Sequence, residues 1–227
     1  DILHHNTIGS GSNHLAILHG FLGMGDNWKS LAKAWSKNFC VHLIDQRNHG
    51  RSFWSYSFDY NVMAQDLLHW MDKQQIGQLS LLGHSMGGKT AMSLALNHPT
   101  RVSKLIVADI APKHYNVAIK FANIIKGLLQ LDDLTLNSRS EADKVLMSYV
   151  PEMGVRQFLL KNLAWTEQRT LKIRCNVAVL QHKLNEIGYA PEGSPYKGDT
   201  LFLAGQHSDY VLQTDINAIN ALSPMLL

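Results

Sequence analysis

Residues 83–90 read Gly-His-Ser-Met-Gly-Gly-Lys-Thr, and this octapeptide satisfies two different motifs at once. As G-x-S-x-G it is a nucleophile elbow, a sharp strand-to-helix turn that exposes Ser85 as an attacking group. As G-x-x-x-x-G-K-T it is a P-loop, whose backbone N–H groups and lysine bind phosphates. Both motifs need a strand before them and a helix after them. The apolar run at 79–82 and the helix-like run at 90–97 satisfy either one.

A second loop favours the elbow. The apolar run at 15–18 is typical of a buried strand, and it ends in His-Gly-Phe-Leu-Gly at 19–23. An elbow needs an oxyanion hole, made by the N–H of the residue after the serine and by an N–H from a loop that follows an earlier strand. We therefore expect the N–H groups of Phe21 and Met86 to form this hole. A P-loop has no use for such a second loop.

The acidic residues at strand ends do not separate the two interpretations. A P-loop protein needs an acid to hold magnesium, and Asp45 and Asp109 each follow an apolar run of strand type. An aspartate at a strand end suits a catalytic triad equally well. A P-loop nucleotide hydrolase therefore remains the alternative to the elbow.

Strand and helix patterns alternate up to residue 112, which predicts an α/β fold with a mostly parallel sheet. Ligands bind at the carboxyl ends of the strands in such sheets. His19, Ser85 and Asp109 all fall at predicted strand ends, so we expect the site there.

The pattern becomes helical between residues 113 and 195, with apolar stripes at helical spacing, and the strand pattern returns at 200–204. We interpret 1–112 together with 196–227 as the core, and 113–195 as an inserted helical cap over Ser85.

Composition excludes several other classes of function. The net charge is +3 without a block of like charge, which indicates neither a nucleic-acid groove nor a membrane surface. We found no apolar run of about 18 residues that would predict a transmembrane helix. The two cysteines, Cys40 and Cys175, are expected to be buried free thiols, and the cytoplasm is the expected location. The 12 histidines show no paired metal-ligand spacing, so no metal site is predicted.

The chain resembles the alpha/beta-hydrolase superfamily, and more closely the small YbfF-like bacterial esterases and their mitochondrial relatives. The segments that carry the resemblance are 19–23, 45–52 (D-x-R-N-H-G-x-S), 83–89, 109–112 (D-I-A-P), 156–160 (R-Q-F-L-L) and 205–211 (G-x-x-S-x-Y-V). The resemblance implies a serine esterase or thioesterase that acts on short-to-medium acyl esters. It also implies a helical cap and no cofactor, with a small-molecule ester as the partner.

Two aspartates compete for the role of triad acid. Asp109 lies in the motif of the esterase subfamily, and we favour it. Asp209 follows the next core strand, the usual position of the acid in the superfamily, although the subfamily pattern has serine at that loop, here Ser208.

The catalytic histidine is not evident from the sequence. The family places it after one more helix and one more strand, whereas the residues after Asp209 read as a single helix and a short tail. We therefore expect a chain truncated before the final strand. His207 is a weak candidate for a substitute base, and His84 and His19 are expected to be structural. A histidine from another chain, or a non-catalytic binder of acyl ligands, remains the alternative.

Overall fold

A six-stranded sheet forms the centre of the structure, a computed structural model that describes residues 1–223. The strands of the chain are β1 (His5–Ile8), β2 (His14–Leu18), β3 (Cys40–Ile44), β4 (Leu79–His84), β5 (Val102–Ala108), β6 (Leu163–Trp165), β7 (Leu171–Ile173) and β8 (Asp199–Leu203). The central sheet has the order β1-β3-β2-β4-β5-β8, and β1 is its antiparallel member. The α/β prediction is confirmed, and the carboxyl ends of β2, β4 and β5 meet at one edge.

Helices cover the sheet and fill the connection between β5 and β8. They are α1 (Lys29–Trp35), α2 (Tyr60–Lys73), α3 (Met86–Asn97), α4 (Val117–Asp132), α5 (Arg139–Met147), α6 (Met153–Leu160), α7 (Val177–His182), α8 (Leu184–Gly188) and α9 (Ile216–Leu222), with 3-10 turns at Gly25–Trp28, Pro99–Arg101 and Gln213–Asp215. Every residue of β3 is buried, because helices lie against both faces of a mainly parallel sheet. Within residues 1–223, no helix has both the length and the apolar character needed to cross a bilayer.

Local side-chain caps begin the helices α2 and α5. The Asp59 carboxylate accepts a hydrogen bond from Val62 N at 2.8 Å and begins α2. Ser138 begins α5 in the same way, by accepting from Glu141 N at 3.1 Å. Asp26, although of a residue type that often caps helices, does not cap α1. It lies inside a 3-10 turn and pairs instead with Lys29 at 3.0 Å.

The segment between β5 and β8 is helical, as its pattern predicts, apart from the short antiparallel pair β6–β7. Its helices bury their apolar stripes in a common cluster that includes Ile125, Leu146 and Leu159. Phe21 and Met86, from the two loops beside the elbow, belong to the same cluster. The insertion therefore packs directly on the carboxyl edge of the sheet. Elsewhere, the prediction for the two cysteines is confirmed, since both thiols are free and buried.

Backbone-to-backbone contact holds α3 under the elbow. A Cβ atom added at Gly87 would lie 2.4 Å from Leu18 O, and one added at Gly83 would lie 2.2 Å from Gly87 O. Real Cβ atoms do not approach backbone atoms this closely, so both positions need glycine. The strand β2 and the first turn of α3 can touch only because these side chains are absent.

We predict that Gly87→Ala lowers the free energy of unfolding by about 2 kcal/mol or more, because its methyl group collides with backbone that cannot move away. Chemical denaturation measures this change. The matched control is Gly154→Ala in α6, where an added Cβ meets nothing within 4 Å, so stability should be unchanged or slightly higher. Equal effects of the two substitutions would contradict the packing argument.

Candidate active site

Ser85 occupies a strained turn between β4 and α3. Its φ and ψ are 51° and −117°, in a region that residues other than glycine rarely adopt. Such a conformation costs on the order of 1–3 kcal/mol and persists only where surrounding contacts impose it. Here Ser85 N donates to Ala108 O at 3.0 Å, and the glycines on either side fix the turn. Ser85 thus has the geometry that a nucleophile elbow requires.

The 19–23 loop lies against this turn. Gly23 N donates to Gly20 O at 2.9 Å and closes a tight reversal around Phe21 and Leu22. A Cβ at Gly20 would lie 2.8 Å from His84 Nδ1 and 3.4 Å from the Cβ of Ser85. The backbone of the loop therefore approaches the elbow as closely as a polypeptide can. Met86 is the first residue of α3, so its N–H has no acceptor within the helix.

Buried histidines support the loop as neutral rings. Leu22, at φ 59°, donates its N–H to His49 Nε2 at 3.2 Å. Burial, reinforced by the neighbouring His19, lowers the pKa of His49 to about 3. Burial also lowers the pKa of His19 to about 4. Its Nδ1 lies 2.8 Å from Gly20 O and its Nε2 accepts from Gln46 N at 3.0 Å. Both ring nitrogens of His19 are thus engaged by backbone groups.

A cavity of about 250 Å³ opens above Ser85 at the junction of core and insertion. Its walls come from both parts of the chain: His19, Gly20, Phe21, Gly23, Asn27, Trp28, His84, Ser85, Asp109, Phe121, Phe158 and Tyr210. The structure thus brings together Ser85, Asp109 and Phe21 from three different strand ends. Larger cavities exist elsewhere, but the predicted site residues converge on this one.

The two candidate acids have different surroundings. Asp109 follows β5 with a φ of 56°, lines the cavity, and accepts a hydrogen bond from Gly205 N at 3.3 Å. The side chain of Asp209 is 84% exposed and pairs with Lys120 at 3.6 Å. His207 is also exposed and is absent from the cavity wall. The structure therefore separates Asp209 and His207 from Ser85.

His84 is the second histidine in the cavity wall. Burial lowers its pKa, and the nearby Asp109 carboxylate opposes this shift. Within residues 1–223, no histidine ring forms a hydrogen bond with Ser85 or with Asp109. The Asp109 carboxylate accepts a hydrogen bond from the backbone N–H of Gly205 instead. The described part of the chain thus brings a candidate nucleophile, Ser85, near a candidate acid, Asp109, without a histidine hydrogen-bonded between them.

Sequence reasoning missed much of the cavity wall. Phe121 of α4 packs edge-on against Phe21, with ring centres 4.9 Å apart, and Phe158 of α6 stands beside it. Both fell within predicted apolar stripes, where a residue that faces a ligand looks like one that faces the core. Asn27 and Trp28 carried no signal at all, because they belong to a short 3-10 turn.

The P-loop interpretation of 83–90 is wrong. Lys89 is 1% exposed, and its Nζ donates to Gly188 O at 2.7 Å and to Tyr189 O at 2.6 Å. The ammonium group that a P-loop aims at phosphates here holds the end of the insertion against α3. Tyr60 assists by donating its hydroxyl to Ile187 O at 2.6 Å.

Comparison with known proteins agrees with this geometry. A family model described as the alpha/beta hydrolase fold matches residues 13–225. The sn-1-specific diacylglycerol lipase ABHD11 of Mus musculus is 38% identical over 92% of this chain and 70% of its own length. Esterase YbfF of Escherichia coli is 33% identical over 87% of this chain and 75% of its own length. A solved structure titled marine microorganism esterase superposes with a TM-score of 0.92 at 36% identity, covering 98% of this chain and 88% of that chain.

The chain belongs to the alpha/beta-hydrolase family, and its relatives include proteins named esterase and lipase. The predicted resemblance is therefore confirmed at the level of superfamily and esterase relatives.

We predict that Lys89 makes stability depend on pH. Burial lowers its pKa from 10.5 to about 7, so between these values the unfolded chain holds a proton that the folded chain lacks. The contribution of Lys89 to stability therefore rises with pH from about 7 to 10 and is constant below 7. Between pH 7 and 9, the free energy of unfolding should rise by at least about 1 kcal/mol relative to a Lys89→Met variant.

Urea denaturation of both proteins at several pH values measures this difference. The matched control is Lys37→Met, which changes an exposed lysine and should give a difference independent of pH over the same range. If the difference in free energy of unfolding between the parent and Lys89→Met did not change between pH 7 and 9, the lowered pKa of Lys89 would be contradicted.

Proposed function

We propose that the chain is a serine esterase that hydrolyses short-to-medium acyl esters or thioesters through an acyl-enzyme on Ser85. The observation that carries this proposal is the position of Ser85, in a strained turn beneath a cavity and in contact with the backbone of the 19–23 loop. Esterase and lipase names among the relatives agree with it.

The reaction follows from these parts. Ser85 Oγ attacks the ester carbonyl carbon, and the carbonyl oxygen becomes an oxyanion. The N–H groups of Phe21 and Met86 donate to that oxyanion, and each such donor is worth about 3–4 kcal/mol in a comparable site. The alcohol or thiol leaves with the proton that Ser85 lost. Water then attacks the acyl-serine, releases the acid and restores the hydroxyl.

The walls of the cavity suit an apolar acyl chain. Phe21, Phe121 and Phe158 provide aromatic surface, and a volume of about 250 Å³ favours a short-to-medium chain. Two of these rings come from the insertion, so 113–195 acts as a cap that sets the acyl pocket, while 1–112 and 196–227 form the catalytic core. The partner is a small ester, and the residues named above need no cofactor for this chemistry.

Asp109 is the proposed triad acid. Its left-handed backbone turns the carboxylate toward the wall that contains Ser85, and Gly205 N–H holds one of its oxygens. A triad aspartate orients the histidine and stabilises its charged form. Asp209 is 84% exposed, pairs with Lys120 and is absent from the cavity wall, so it is not positioned for that task.

A second candidate function is a non-catalytic binder of acyl ligands. It is favoured by one observation: in residues 1–223 Ser85 and Asp109 are not bridged by a histidine, and one of the two cavity histidines, His19, has both nitrogens engaged. Such a protein would be stabilised by butyrate or a longer fatty acid without turning over the ester.

We predict that Ser85→Ala lowers p-nitrophenyl butyrate hydrolysis at least about 100-fold, because the acyl-enzyme cannot form. Ser140→Ala, which changes an exposed serine of α5, is the matched control and should retain full activity. Mass spectrometry should find a fluorophosphonate on Ser85 in the unmodified chain and none in Ser85→Ala. Turnover by Ser85→Ala equal to that of the parent, both without and with added imidazole, would refute the proposed nucleophile.

The same assay distinguishes esterase from binder. Imidazole added to the solution can replace a base that the site lacks, so turnover that depends on both Ser85 and imidazole supports the esterase and locates its deficiency in the base. Thermal stabilisation by butyrate, with no turnover in either condition, supports the binder.

Asp109→Asn and Asp209→Asn form a second matched pair. Asparagine tolerates the left-handed backbone at 109, so the fold should survive. Any Ser85-dependent kcat measured without added imidazole should fall at least about 100-fold, because no charge remains to orient a histidine base. Asp209→Asn should change kcat by less than about twofold. The two kcat values, compared with the parent at one pH, test this prediction, and the reverse ranking would make Asp209 the acid.

A further inference from the structure

Three potential metal ligands meet on one face of the sheet, at the end opposite Ser85. His14 begins β2, and Cys40 begins β3 as its paired neighbour. His42 follows Cys40 by two residues and therefore points to the same face, because side chains alternate along a strand. The strand β2 is five residues long, so this cluster lies roughly 15 Å from the elbow.

The ligand atoms of the three side chains are already close together. The donor atoms of His14, Cys40 and His42 all lie within 4.8 Å of one another. His14 Nδ1 and His42 Nε2 are 2.9 Å apart, and the two rings stack with an interplanar angle of 19°. In a tetrahedral zinc site with Zn–N near 2.1 Å and Zn–S near 2.3 Å, ligand atoms are roughly 3.3–3.8 Å apart. Small side-chain rotations would therefore open enough space for an ion.

Neighbouring groups hold His42 in the orientation that a ligand needs. Its Nδ1 lies 3.0 Å from Thr7 Oγ1, which leaves Nε2 directed at the cluster. Trp70 packs edge-on against the ring, with centres 5.2 Å apart. Metal-binding histidines commonly use their second nitrogen in this way, and the contact fixes the tautomer. His5 is nearby, but its Nδ1 accepts from Trp70 Nε1 and is occupied.

A metal ion bound at this cluster would compete with protons for its ligand atoms, because metal ligands bind in their deprotonated form. Burial raises the pKa of the Cys40 thiol. A divalent ion bound there would release the thiol proton to solvent and neutralise the thiolate.

We propose that His14, Cys40 and His42 form a binding site for a divalent transition metal of the zinc class. Two imidazoles and one thiolate are ligands that zinc prefers, and three protein ligands leave a fourth position for water on the side of the half-buried His14. The ion would join β2 to β3 and stabilise the sheet without entering the cavity above Ser85.

Cobalt(II) is the probe for the test, because it replaces zinc and absorbs light. We expect one Co²⁺ per chain, with a thiolate-to-cobalt charge-transfer band and tetrahedral d–d bands that added Zn²⁺ removes. Cys40→Ser should lose the charge-transfer band. The matched control, Cys175→Ser, changes the other buried thiol and should keep it.

A second variant tests the site independently of the buried cysteine. His14→Ala should weaken Zn²⁺ binding at least tenfold, whereas His69→Ala, at an exposed histidine of α2, should not. At one Zn²⁺ concentration, the Tm of the parent chain should rise clearly more than that of His14→Ala. Binding without a thiolate band, or binding unaffected by both Cys40→Ser and His14→Ala, would overturn the proposal and assign the metal to other histidines.

Discussion

The structure depends on one backbone constraint, the close contact between β2 and the first turn of α3. Ser85 can hold a positive φ because Gly83 and Gly87 leave no Cβ between the turn and the strand beside it. The same contact brings the end of β2 to the elbow, so the 19–23 loop lies directly beside Ser85. The strain at the serine is thus maintained by packing between elements distant in the sequence.

Burial of polar groups serves this geometry throughout the site. His19 and His49 are neutral because they are buried, and each accepts a backbone N–H that would otherwise have no partner. Lys89 performs a similar role for the insertion, as its amine binds two carbonyl groups at the end of α8. The chain belongs to the alpha/beta-hydrolase superfamily, and its relatives include proteins named esterase and lipase. The proposed acyl pocket, by contrast, depends on where the insertion places Phe121 and Phe158.

Some of the site was predictable because it is local in the sequence. The elbow pattern, the apolar runs before it and Asp109 at a strand end identify the sheet and the residues along its carboxyl edge. The sequence pattern separated Asp109 from Asp209 less clearly, because both residues follow core strands. The two side chains differ mainly in the groups that they contact in the folded chain. The sequence around Lys89 was ambiguous for the same reason, because the contacts of its side chain are distant in the sequence. Its spacing from Gly83 satisfies a phosphate motif, and only its contacts with a segment 100 residues away exclude that motif.

The sequence by itself determined the α/β architecture, the strained turn at Ser85 and the loop that faces it, because strand periodicity and glycine spacing are short-range properties of a chain. Tertiary structure alone decided which side chains share a cavity, which aspartate faces it, and that His14, Cys40 and His42 lie together on neighbouring strands. These are contacts between residues brought together by sheet pairing and by the packing of the insertion. Their partners are set by register and shape, which no single stretch of sequence records.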